Sequence, residues 1–109
     1  MRKEEPPVTV KDIEEWIAGW EESLRWIASM CDYEEYDYDL SKREDLDEAL
    51  REYGDKPLPA ELIERIARAD QHFRDITEES DCCVWGDPHK YDRERHWYYY
   101  RWPLHLRKH

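Results

Sequence analysis

Between Thr9 and Cys31, the residues Val10, Ile13, Ile17, Trp20, Leu24, Ile27 and Cys31 recur three and four apart. That spacing is one face of an α-helix. A second uncharged stripe, Trp16, Gly19, Ser23, Trp26 and Met30, runs beside the first. A helix that is apolar or small around more than half its circumference must be covered on two sides. The segment is therefore the expected centre of the fold. Thr9 can cap its start, with Asp12 at the third helical position.

Two further helices follow from local signals. In "SKREDLDEALREYG", Ser41 and Glu44 have capping-box spacing, and Leu46, Ala49, Leu50 and Tyr53 form a short apolar face that Gly54 ends. "DKPLP" is a rigid connector, and Pro59 suits the first position of a third helix with Glu61 near its positive end. Leu62, Ile66, Ala69, Phe73 and Ile76 make that helix's narrow seam, while Glu64, Arg68, Gln71 and Asp75 face out.

From about Asp81 the helical pattern stops. "CCVWGDPHKY" contains a Gly-Asp-Pro turn, and "RHWYYYRWPL" is rich in strand-favouring aromatics. From Lys90 onward the charge is +4, which leaves −15 on Met1 to His89 out of the total of −11. A basic aromatic tail on an acidic body is expected to fold back over the second stripe of the first helix. Its rings would fill the notch at Gly19 and Ser23, and its arginines would neighbour body carboxylates.

The expected fold is mainly α: a small three-helix bundle closed by a C-terminal aromatic extended segment that can pair as a short β-hairpin. Residues 1–109 are read as one acidic domain, with about 81–109 as the tail packing back on the bundle. Charged residues reach 41% and apolar ones only 39%, a balance that leans toward disorder. Six Trp, eight Tyr and one Phe oppose it, because each ring buries on the order of 150–250 Å². The core is expected to be thin and aromatic.

The densest anionic stretch is "CDYEEYDYDL", residues 31–40, with five carboxylates and no lysine or arginine. Asp32, Glu34, Glu35, Asp37 and Asp39 continue into Glu44, Asp45, Asp47 and Glu48, and Tyr33, Tyr36 and Tyr38 lie among them. Binders of duplex DNA present basic surfaces tuned to dense anions, so such a run can stand in for phosphates. Tyrosines supply the rigid contacts that interfaces favour. A solvated acidic loop accounts for the same residues without any partner.

Two metal readings compete. Asp37, Asp39, Ser41, Asp45 and Glu48 fall at positions 1, 3, 5, 9 and 12 of an EF-hand-like loop. Lys42 stands where glycine permits the sharp turn, and Glu44 where an apolar anchor belongs. Cys82 and Cys83 with His89 and His96, and Cys31 from afar, contain zinc-ligand types. Adjacent cysteines seldom converge on one ion, so the pattern is poor for zinc. The simpler reading buries one cysteine beside Val84 and Trp85 and leaves the other near the surface.

No catalytic signature is present. The three glycines are scattered, which excludes a phosphate-cradling loop, and no cofactor is expected. With neither an apolar leader nor a long apolar run, the expected setting is the cytoplasm with reduced thiols, away from membranes. The negative total argues against direct binding of double-stranded nucleic acid. Arginines among the tail's tryptophans and tyrosines would suit single strands, though packing within the chain explains them equally.

The functional expectation is a small acidic module, not an enzyme, that binds a basic protein surface and blocks or regulates it. A nucleic-acid-binding target would make it a mimic or inhibitor. Its contact residues would be Asp32, Tyr33, Glu34, Glu35, Tyr36, Asp37, Tyr38, Asp39, Glu44, Asp45, Asp47 and Glu48. The alternatives are a calcium- or zinc-binding protein and a homo-oligomeric scaffold in which Trp26, Met30 and the tail pair between chains.

Overall fold

The computed structural model describes residues 8–30, 34–86 and 90–106. Three helices account for most of the described residues: α1 (Val10–Ser29), α2 (Tyr36–Tyr53) and α3 (Ala60–Asp75). Two short strands, β1 (Thr77–Glu79) and β2 (Arg101–Pro103), pair antiparallel with Thr77 opposite Pro103 and Glu79 opposite Arg101. The fold is mainly α, with the small sheet closing one end.

Helix α1 starts as its sequence requires. Asp12 donates its amide to the Thr9 hydroxyl at 3.1 Å, and Thr9 donates its own to the Asp12 carboxylate at 3.0 Å. This reciprocal cap satisfies two otherwise orphaned donors. Ile13, Ile17, Trp20, Leu24 and Ile27 are all buried, so the first stripe is the core face. At the end of α2, Gly54 adopts φ +83°, a left-handed conformation that costs glycine little, and returns its amide to Leu50.

The three helices share one buried ion pair. Arg43 on α2 donates from Nε and Nη2 to the two carboxylate oxygens of Asp70 on α3, at 2.9 and 3.0 Å. The Trp20 indole of α1 donates to the same carboxylate at 3.0 Å. Arg43 Nη1 has no hydrogen-bond partner, though its guanidinium lies by the Trp97 and Tyr98 rings, and loss of one partner of such a buried pair typically costs about 3–5 kcal/mol. This triad fixes the relative placement of the helices more specifically than apolar contact would.

The second helix begins earlier than the capping box places it. Tyr36 to Leu40 are already helical, and Ser41 lies inside α2 with its hydroxyl donating to the Tyr38 carbonyl. Glu44 is likewise drawn away from any capping role, since it accepts a hydrogen bond from the Tyr99 hydroxyl. Burial of Tyr36 and Leu40, at 1% and 0% exposure, extends the helix backward through the acidic stretch. Tertiary burial outweighs a local cap here.

The C-terminal segment also departs from expectation. Trp97–Tyr100 form a turn of 3-10 helix and not a strand, and only Arg101–Pro103 are extended. The strands are separated by residues 80–100, so no tight hairpin joins them. Tyr98, Tyr99 and Tyr100 are buried, with Tyr99 held to Glu44 of α2 and Trp97 packed on Phe73 of α3. The segment does not fill the notch on α1. An added side-chain carbon at Gly19 would meet nothing within 4 Å, and Trp16 and Trp26 remain 40% and 59% exposed. The rings pack on α2 and α3 because their hydroxyl and cationic partners, Glu44 and Arg74, lie there.

Candidate functional site: an acidic–aromatic seam

Trp16 and Trp26, the exposed members of the second stripe of α1, lie along its junction with α2, while Ser23 of the same stripe is buried. Trp26 and Met30 line a groove of about 480 Å³ together with Glu34, Glu35, Tyr38 and Asp39. Farther along, Trp16 lines a smaller groove of about 210 Å³ with Asp45, Glu48 and Glu52. Helix α2 thus runs back along α1 and sets carboxylates beside each exposed tryptophan. Ten residues of helix separate the two tryptophans by about 15 Å. The seam alternates large apolar rings with negative charge.

Within the first groove the side chains differ sharply. Trp26 and Tyr38 are exposed, 59% and 57% respectively, whereas Asp39 is only 7% exposed. No hydrogen bond or ion pair to the Asp39 carboxylate is found among the described residues. Burial, followed by the neighbouring charge of Glu35, pushes its pKa above the ordinary aspartate value, while Lys42 pulls the other way. Lys42 itself stands over the Tyr38 ring, 4.3 Å from its centre, and donates to the Tyr38 hydroxyl at 3.1 Å. Asp37 accepts the Tyr38 amide at 2.6 Å, which fixes the first turn of α2.

The acidic run does not act as one surface. Glu34, Glu35, Tyr38, Asp45 and Glu48 are exposed and Asp37 is half-buried. Tyr36 is a core residue whose hydroxyl donates to the Arg101 carbonyl, so it cannot meet a partner. Asp39 faces a groove and not open solvent. Glu44 and Asp47 are engaged internally: Glu44 accepts from Tyr99 and lies 3.8 Å from His96, and Asp47 is paired with Arg95 at 3.4 Å and Arg51 at 4.0 Å. Asp32 and Tyr33 lie outside the described residues. Arg95 of the tail, with Arg51 of α2 itself, thus neutralises Asp47 on the side of α2 away from the seam. The helical period explains the division, since residues 36, 40 and 43 point to the core.

Sequence spacing alone does not pair Trp26 and Met30 with the acidic run. Their stripe was visible in the sequence, but the tail was expected to cover it.

The calcium reading fails on geometry. Asp37, Asp39, Ser41, Asp45 and Glu48 all lie within continuous α2, where an EF-hand requires a loop. Among the described residues no group of three or more His, Cys, Asp or Glu side chains is placed to hold a metal ion. Cys83 is buried, Cys82 is exposed, and His96 is buried between Tyr91 and Tyr99 rings. Cys31 and His89 lie outside the described residues.

Burial raises the Tyr98 and Tyr99 hydroxyls well above the usual tyrosine value, with Asp47 next in effect at Tyr98 and the Glu44 bond next at Tyr99. Burial keeps both neutral: Tyr99 donates to Glu44, whereas the buried Tyr98 hydroxyl has no hydrogen-bond partner, and neither has the lowered pKa a nucleophile would need. Among the described residues, no helix is long and apolar enough to cross a membrane. Compared with protein-family models, curated proteins and solved structures, the chain matches none.

Proposed function

We propose that the chain is a small acidic interaction module that binds a basic protein segment along the α1–α2 seam and thereby blocks or regulates that protein. The observation that carries this reading is the pairing of each exposed α1 tryptophan with α2 carboxylates, at Trp26 with Glu34, Glu35 and Asp39, and at Trp16 with Asp45, Glu48 and Glu52. Interfaces favour aromatic anchors, and complementary charge speeds and orients encounter. A stretch rich in lysine and arginine meets both requirements at once. Where that stretch is the nucleic-acid-binding surface of its owner, the module competes with phosphates for it. No catalytic step is part of the proposal.

Reversing Glu34, Glu35 and Asp37 to lysine tests it. The triple variant should lose capture of a basic partner from the native host while its helical circular dichroism is retained. Undiminished capture would remove the proposal. A second reading, self-association through the same tryptophans, follows from their exposure, and sedimentation of the purified chain at micromolar concentration decides it.

A further inference from the structure

Resting on that reading, we infer that the groove formed by Trp26, Met30, Tyr38 and Asp39 is a subsite for one cationic side chain, a lysine or arginine of the bound segment. The buried Asp39 carboxylate is its counter-ion, and the rings receive its aliphatic stem. Three independent features point to this occupant.

The first is the state of Asp39. The Asp39 residue is only 7% exposed, and its carboxylate, still in contact with solvent, has lost part of its hydration, a cost that an opposite charge would offset. Asp39 has neither a hydrogen bond nor an ion pair among the described residues, and it opens onto the groove. A cation entering there supplies the missing partner.

The second is the wall. Trp26 is an exposed tryptophan, and indole faces attract cations more strongly than other rings do. Met30 adds a flexible apolar surface against which an alkyl stem can lie.

The third is that the chain already places an ammonium group on one of these rings. Lys42 stands over Tyr38 at 4.3 Å and bonds its hydroxyl. Lys42 also acts on Asp39 from one turn along α2, but its ammonium group bonds the Tyr38 hydroxyl, so the groove beside Trp26 is left to a cation from outside.

The test uses the whole chain and an acetylated, amidated hexalysine peptide, followed by isothermal titration at about 0.1 M salt, where charges beyond about 10 Å are screened. Shifts of the Trp26 indole amide resonance locate the peptide. The wild type should bind with Trp26 perturbed. D39N should weaken binding about tenfold, in keeping with loss of a charged hydrogen-bond partner. W26A should weaken it about threefold to tenfold. E61Q removes the same unit of charge from the first turn of α3, away from the groove, and should change affinity less than twofold.

Wild-type binding that D39N and W26A leave intact would overturn the subsite while sparing the acidic-seam reading. Equal losses in D39N and E61Q would also overturn it, since charge alone would then explain capture. No binding of hexalysine by the wild type would overturn both. Circular dichroism of each variant separates these outcomes from unfolding.

Discussion

Asp39 works against folding once it is ionised. Its pKa is raised in the folded chain by burial first and by Glu35 second, so the folded state holds the proton more tightly than the unfolded state. In the window between the unfolded and folded pKa values, the native chain therefore binds more protons, and stability falls as pH rises. The penalty is complete above the folded pKa and absent below the unfolded one. D39N should accordingly melt higher than the wild type at pH 7, and the difference should vanish when both are scanned below the ordinary aspartate range. A lower melting temperature for D39N at pH 7 would mean that the carboxylate has a partner in the fold. In the tail, by contrast, cationic side chains have partners: Arg93 bonds Asp81 at 2.7 Å and Glu79 at 3.2 Å at the surface, and Arg101 donates to the Thr77 hydroxyl at 2.8 Å.

Among the elements, α1 illustrates how far a periodic pattern can be trusted. Its cap and its core face were legible, because Thr9, Asp12 and the spacing from Ile13 to Ile27 all act locally. What covers its second stripe was not legible. Gly19 sits mid-helix with open space around it, so it performs no packing role that its small size would explain. An alanine there should add about 0.5–1 kcal/mol of stability through backbone entropy and helix propensity, read as a higher midpoint in urea. A destabilised G19A would show that the notch is filled after all. Helix α2 was misread at its start, since the strong local signal at Ser41 competes with the burial of Tyr36 and Leu40, and burial prevails. The 3-10 turn at Trp97–Tyr100 was hidden for a related reason: three consecutive tyrosines have strand propensity, and the Tyr99 hydroxyl is held by Glu44 on a distant segment.

At the scale of the molecule, a net charge of −11 is spread over 109 residues. Self-repulsion of that kind opposes compaction, whereas exposed ion pairs such as Arg25–Glu22 and Arg68–Glu64 return little. The screening length is about 30 Å at about 0.01 M salt, comparable with the 20 residues of α1, and about 3 Å at about 1 M. The melting temperature should therefore rise with sodium chloride across that range. A fall would show that attraction between surface charges outweighs repulsion. The buried Arg43–Asp70 pair lies beyond the reach of this screening.

By itself the sequence determined the helical class, the centrality of the first helix and the excess of negative charge, because helix caps, spacing and composition are local properties. Only the tertiary structure decided which carboxylates remain available. Glu44 and Asp47 are held by Tyr99 and Arg95 from some fifty residues away, and Trp26 meets Asp39 only because α2 turns back along α1. Long-range pairing depends on where segments pack, and no window of the chain contains that information.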